Sequence, residues 1–133
     1  MLRYIIILLM TVHGFTHFMG FVKAFQYTEL NNLTMPIPKP FGILWMLTAI
    51  LFLTSAAMFL LKKHYWWTIA IPAAVMSQFV IFASWTDARF GTIANAIIVA
   101  TIIFGWADSS STTNYHTASK EDLKKNQAVI PTE

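Results

Sequence analysis

The stretch FGILWMLTAILFLTSAAMFLL, residues 41–61, carries no charged side chain over 21 positions and ends at Lys62, Lys63 and His64. A bilayer core about 30 Å thick is crossed by about 20 apolar residues of helix rising about 1.5 Å each. The block therefore reads as a membrane-spanning helix. On its C-terminal side, Tyr65 to about Trp85 is again uncharged, with Pro72 in its first half; that proline frees the Thr68 carbonyl and favours a kink. A shorter uncharged block, about Phe90 to Ala107, follows and ends at Asp108. On the N-terminal side, the block from Arg3 to about Ala24 opens with the apolar run Tyr4 to Met10 and continues through His13 and His17 to Lys23. A secretory signal peptide competes for this block, but no convincing small-x-small cleavage site follows the core and the hydrophobic pattern runs on, which favours a retained helix.

The connections between the second and third blocks and between the third and fourth are a few residues each, so those neighbours are expected to run antiparallel. The expected fold class is all-α: an integral membrane antiparallel four-helix bundle, up-down-up-down, with spans at about 3–24, 41–61, 65–85 and 90–107. The link from Phe25 to Pro40 contains MPIPKP, which favours extended chain, and Asn32, Leu33 and Thr34 match a glycosylation sequon that usually means nothing in a bacterial protein. Residues 108–133 form a polar tail of mixed charge, expected to be flexible or weakly helical, with Ser119-x-x-Asp122 as a helix start.

Composition agrees with this layout. The 133 residues are 56% hydrophobic and 11% charged, against about a quarter charged in soluble domains. With no cysteine, thiol catalysis, disulfides, cysteine-ligated zinc and iron–sulfur clusters are excluded. The net charge of +3 comes from basic residues at the block ends, which is a topology signal and argues against nucleic acid as a partner. With four spans, Arg3, Lys62, Lys63, Lys120, Lys124 and Lys125 share one side, opposed by Lys23, Lys39 and Arg89; the excess places both termini in the cytoplasm. Tyr4, Tyr65, Trp66, Trp67 and Trp106 are expected at that interface and Tyr27, Trp45 and Trp85 at or near the other. Thr92, Ala96 and Ala100 form a small-residue stripe, with Ser55, Ala56 and Ala57 as a second packing patch.

Ionisable groups at membrane depth are costly, and each is a functional candidate. His13 and His17 are four apart and share one helix face with Gly20. Counted from Arg3, His13 lies about 15 Å and His17 about 21 Å into the bilayer, while Gln78 lies about 10 Å and Asn95 about 6 Å inside their helix ends. His17, Gln78 and Asn95 are thus expected in one layer, with Ser84, Asp87 and Arg89 in the turn just outside it. Together with His13 they outline a candidate polar pocket open to the non-cytoplasmic face, walled by Phe15, Phe18 and Phe82. The competing reading is a structural network in which polar side chains pair across helices and Asp87 pairs with Arg89. A metal held by His13 and His17 is a third reading, although HGFTH lacks the acid of H-E-x-x-H and further ligands are needed. His64 reads as an interfacial charge and His116 as a solvated one. Haem is disfavoured, since two histidines of one helix cannot ligate one iron from opposite sides. A proton-driven small multidrug exporter is disfavoured because no Asp or Glu lies inside a span. No phosphate loop, nucleophile elbow or paired catalytic carboxylates occurs, so no enzyme motif supports catalysis.

The segments HGFTHFMGFVKAF, residues 13–25, and SWTDARFGTIANAI, residues 84–97, resemble those of small bacterial inner-membrane proteins, the DoxX-like group among them. The resemblance covers about residues 1–107 and implies a four-helix membrane fold that sometimes serves as an accessory subunit of a respiratory or sulfur-oxidising system near quinone. The expected function is a non-enzymatic accessory subunit, or a membrane protein whose pocket meets a lipid, a quinone or another small ligand. Four short helices have little interior, so a homo-oligomer or a membrane partner subunit is expected. The alternative is a small proton- or metal-coupled transporter using His13 and His17.

Overall fold

Uncharged apolar runs in which no helix face is polar throughout satisfy their backbone groups internally and bury only a stripe of side chains against neighbours. The computed structural model describes residues 1–28 and 33–128, the side chains of 108–116 and 126–128 excepted; Asn32 of the sequon and the His116 side chain lie outside the described residues. All regular structure among them is helical: α1 Leu2–Ala24, α2 Lys39–Leu60, α3 Trp66–Ala83, α4 Trp85–Ala88 and α5 Gly91–Ala128. Three of these, α1, α2 and α3, are long and apolar enough to cross a membrane, and Gly91–Ala107 is a shorter apolar helical segment. These helices mark the chain as a membrane protein. Their outward faces stay greasy, with Leu8, Val12 and Phe15 on α1, Ile43, Leu47 and Ile50 on α2, and Val75, Phe79 and Phe82 on α3 all exposed, as lipid-facing surfaces require.

Small residues set how close the helices come. A Cβ added at Gly20 would stand 2.1 Å from the Trp45 ring, and one at Gly42 would stand 2.3 Å from the Ala24 Cβ, so α1 and α2 touch backbone to side chain at one end. At the opposite end the Arg3 guanidinium donates to the carbonyls of Phe59 and Leu60, 2.8 Å from the latter, capping the last turn where α2 stops. The start of α1 thus lies beside the end of α2, and the two run antiparallel. Between α2 and α3, Phe59 stacks on Trp66 at 4.3 Å, the Ser55 hydroxyl donates to the Trp66 carbonyl at 3.0 Å, and Phe41 stacks on Phe79 at 6.0 Å. This pair is antiparallel as well. Lys62, at φ 57°, turns the chain between them.

The buried core joins Ile6 and Met10 of α1, Phe52 of α2, Ala70 and Ala73 of α3, and Ile98 of α5. On α5 the buried stripe is Asn95, Ile98 and Ile102; of the expected small-residue stripe, Thr92 is half-buried while Ala96 and Ala100 are exposed. In the other patch Ser55 and Ala56 are buried and Ala57 is exposed. Trp45 and Trp66, expected at the membrane interface, are instead only 4% and 5% exposed, because the glycine at position 20 and the ring of Phe59 give each a protein surface to pack on.

The chain divides into two units, Met1–Ile102 and Ile103–Glu133. The first holds α1 to α4 and the start of α5, residues 91–102. In the second, the backbone is helical to Ala128, and the side chains from Thr117 to Lys125 are exposed. Where the sequence reading stops the last helix at Ala107, the structure carries α5 on, because the following segment, Asp108 to Ala128, contains no glycine or proline to break it. The third helix ends earlier than expected, at Ala83, and Trp85–Ala88 is a separate turn of helix. Pro72 sits inside α3 without ending it.

Candidate functional site

The buried face of α1 carries Met10, His13, Gly14, His17 and Gly20, the three- and four-residue spacing that aligns side chains on a helix. Gly14 lets Phe52 close on this stripe, its added Cβ standing 3.1 Å from the Phe52 Cβ. The two imidazoles stand edge to face at 4.8 Å, and His17 lies beside Trp45 at 5.0 Å between ring centres. Both point their Nε2 at one hydroxyl of α3: the Ser77 Oγ is 2.9 Å from His17 and 3.2 Å from His13. His13 Nε2 also lies 3.0 Å from Asn95 Oδ1 on α5. From there the chain continues, with Asn95 Nδ2 donating to Gln78 Oε1 at 3.1 Å and Gln78 Nε2 donating to Thr92 Oγ1 at 3.2 Å. A continuous path of hydrogen bonds thus links three helices, from His17 through Ser77, His13, Asn95 and Gln78 to Thr92.

A second polar cluster fastens the link between α1 and α2. The Thr34 hydroxyl donates to Asp87 Oδ1 at 2.6 Å and the Met35 backbone N–H to Asp87 Oδ2 at 2.8 Å. The Met35 N–H, followed by the Thr34 hydroxyl, holds the Asp87 carboxyl below its usual value. Leu33, just before this clamp, is buried.

Between the two clusters lies a cavity of about 320 Å³, lined by His13, His17, Trp45, Leu33, Asp87 and Gly91 among others. Most of its other lining is aliphatic, Leu9, Val12, Met19 and Ile81 included. This is the combination of an apolar chamber and a few convergent polar groups that small-molecule sites use. Two polar atoms on its lining side chains are buried without a partner, His17 Nδ1 and Trp45 Nε1. A buried N–H left unpaired costs about 1–3 kcal/mol.

The expected site residues divide accordingly. His13, His17, Gln78 and Asn95 join one network, but it is His13, not His17, that meets Asn95; His17 bonds to Ser77. Asp87 lines the same cavity. The expected Asp87–Arg89 pair gives way to the Thr34 and Met35 clamp, and the Arg89 guanidinium lies over the Phe90 ring at 5.1 Å. Ser84 is buried, and its carbonyl accepts from the Asp87 and Ala88 N–H groups, so it builds the turn. Phe15 and Phe82 are more than half exposed and do not wall the cavity, since they sit on the outward faces of α1 and α3; Phe18 lies outside the lining as well. His64 is exposed beside Tyr65.

Sequence reasoning passed over Ser77, the hub of the network, and assigned Thr92 to packing; the signal for Ser77 was its place beside Gln78 in an otherwise apolar run. For a metal the donor set fits poorly. Both Nε2 atoms are turned to a hydroxyl, and among the described residues no group of three or more His, Cys, Asp or Glu side chains stands together to hold an ion. The chemistry on offer is hydrogen bonding and proton placement around an apolar chamber. No protein-family model, curated protein or solved structure matches the chain.

Proposed function

We propose that this chain is a four-span antiparallel bundle of the bacterial inner membrane, both termini cytoplasmic, that holds a small apolar molecule, a lipid or a quinone, in the cavity beside His13 and His17. It acts as a binding protein or accessory subunit rather than an enzyme, within a homo-oligomer or beside a membrane partner. The observation that carries this reading is the cavity of about 320 Å³ with unpaired polar nitrogens on two of its lining side chains: a chamber of that size takes a molecule, and a polar end of that molecule relieves the unpaired atoms. The accessory role near quinone follows the resemblance to DoxX-like proteins.

Native mass spectrometry of protein extracted with its own lipids tests it. One apolar molecule per chain is expected, and it should be lost from Ala94→Phe, which fills the chamber at a lining position. Equal adducts in both proteins, or none in either, contradict the proposal. A second reading, proton-coupled transport, draws on the unbroken path from His17 to Thr92. Under it, the double variant His13→Ala, His17→Ala in liposomes loses flux while staying inserted and folded; under the binding reading no flux exists to be lost.

A further inference from the structure

The hydrogen-bond directions around Ser77 decide which nitrogen of His17 carries its proton. Asn95 Nδ2 donates to Gln78 Oε1, so Asn95 Oδ1 is an acceptor and His13 Nε2, 3.0 Å away, must be an N–H. That N–H also faces Ser77 Oγ at 3.2 Å, where the oxygen can only accept. Unlike Thr11, Thr48 and Thr54, whose hydroxyls donate to the carbonyl four residues back, Ser77 has no such bond among its contacts. Its proton therefore goes to His17 Nε2 at 2.9 Å. A neutral imidazole that accepts at Nε2 carries its hydrogen at Nδ1, and Nδ1 is the buried atom with no partner. The indole Nε1 of Trp45 is a donor only. It too is buried without a partner.

The cavity thus has two lining residues with unspent N–H donors: His17, 1% exposed, and Trp45, 4% exposed, their rings 5.0 Å apart. We infer that the ligand is an apolar molecule bearing a carbonyl oxygen, which accepts from the His17 Nδ1–H and the Trp45 Nε1–H. This rests on the cavity-binding reading above and specifies its chemistry. An oxygen with two lone pairs satisfies both donors at once, whereas a ligand whose polar end is a donor leaves them unpaired. Two sources offer that group, the ester carbonyl of a membrane lipid and a free long-chain ketone.

The full chain is placed in nanodiscs of ether-linked phospholipid, which has no carbonyl, and in nanodiscs of the ester-linked counterpart. The 15N–1H resonance of the Trp45 indole is followed while 2-undecanone or the matched hydrocarbon undecane is added. Expected is a ketone affinity about tenfold above that of undecane in ether lipid, the worth of about one net hydrogen bond, with a downfield shift of the indole proton only for the ketone. Trp45→Phe, which keeps an aromatic ring at this position but drops the N–H, is followed by native mass spectrometry of the same nanodiscs and is expected to bind undecane as before and lose most of the ketone preference. If ester lipid alone gives the downfield shift and blocks the ketone, a lipid is the source; if the shift needs the ketone in both lipids, a free carbonyl compound is. Equal affinity for ketone and undecane overturns the carbonyl inference and leaves cavity binding standing. Binding of neither probe, with the indole resonance the same in both lipids, overturns both.

Discussion

Two polar clusters flank the same cavity, and they are built from different chemistry. The inner one, from His17 to Thr92, uses imidazole, hydroxyl and amide groups, with Ser77 fully buried and His17 nearly so. The outer one uses a carboxylate, Asp87, which accepts from Thr34 and Met35 just beyond the end of α3. The contrast shows depth selecting chemistry: where lipid and protein exclude water, neutral groups that hydrogen-bond one another carry no charging cost, while a carboxylate is placed where water still reaches it. It also shows why the inner cluster is the more consequential. No water replaces a bond lost there, and one helix cannot satisfy its polar groups alone.

Asn95→Leu is expected to break this contrast most severely. It strands the Gln78 carbonyl and leaves the His13 N–H only its longer contact to Ser77 Oγ at 3.2 Å, and a polar group buried without a partner costs about 1–3 kcal/mol. Unfolding in a graded detergent series should show the largest loss of any single change in the network, and a loss indistinguishable from Ser77→Ala contradicts the assignment of Asn95 as a two-sided link. Ser77→Ala comes second, because His13 keeps Asn95 while His17 Nε2 alone is stranded. About 1 kcal/mol is expected, within the range measured for hydrogen bonds between membrane helices, and the double variant with Asn95→Leu should lose more than the sum of the two, because only there does the His13 N–H lose both of its acceptors.

The outer cluster gives the smallest effect and a pH signature. A carboxylate held below its usual value stabilises the folded form above the unfolded value of about 4, and that contribution disappears as pH falls through the lowered folded value. Exchange of the Met35 amide with solvent should thus stay slow as pH drops through the ordinary carboxylate range and show loosening of the clamp only below it. Asp87→Asn should speed this exchange at neutral pH and abolish its acid dependence, leaving global stability near that of the parent. Equal exchange in both proteins contradicts the clamp.

The helices were legible because uncharged runs of span length have few alternatives, and the histidine pair because polar groups stand out against them. Which partners those groups choose was not. Counting depth along separate helices put His17 level with Asn95, yet the azimuth of each helix, set by close contacts such as Gly20 against Trp45 and Gly42 against Ala24, brings His13 there instead. The Asp87–Arg89 pairing failed for a related reason. Residues two apart in the short helical turn do not face each other, while Thr34 and Met35 arrive from a distant link whose path no local pattern encodes. Ser77, a small hydroxyl in an apolar run, has a role only once two imidazoles meet it.

The most direct test of the account is the tautomeric state of the two buried histidines, read from the side-chain 15N shifts of labelled protein in lipid bilayers. The arrangement around Ser77 predicts opposite neutral tautomers, His13 carrying its proton on Nε2 and His17 on Nδ1. Two histidines sharing the Nε2–H form would contradict it, and would remove the donor on which the ligand chemistry of the cavity depends.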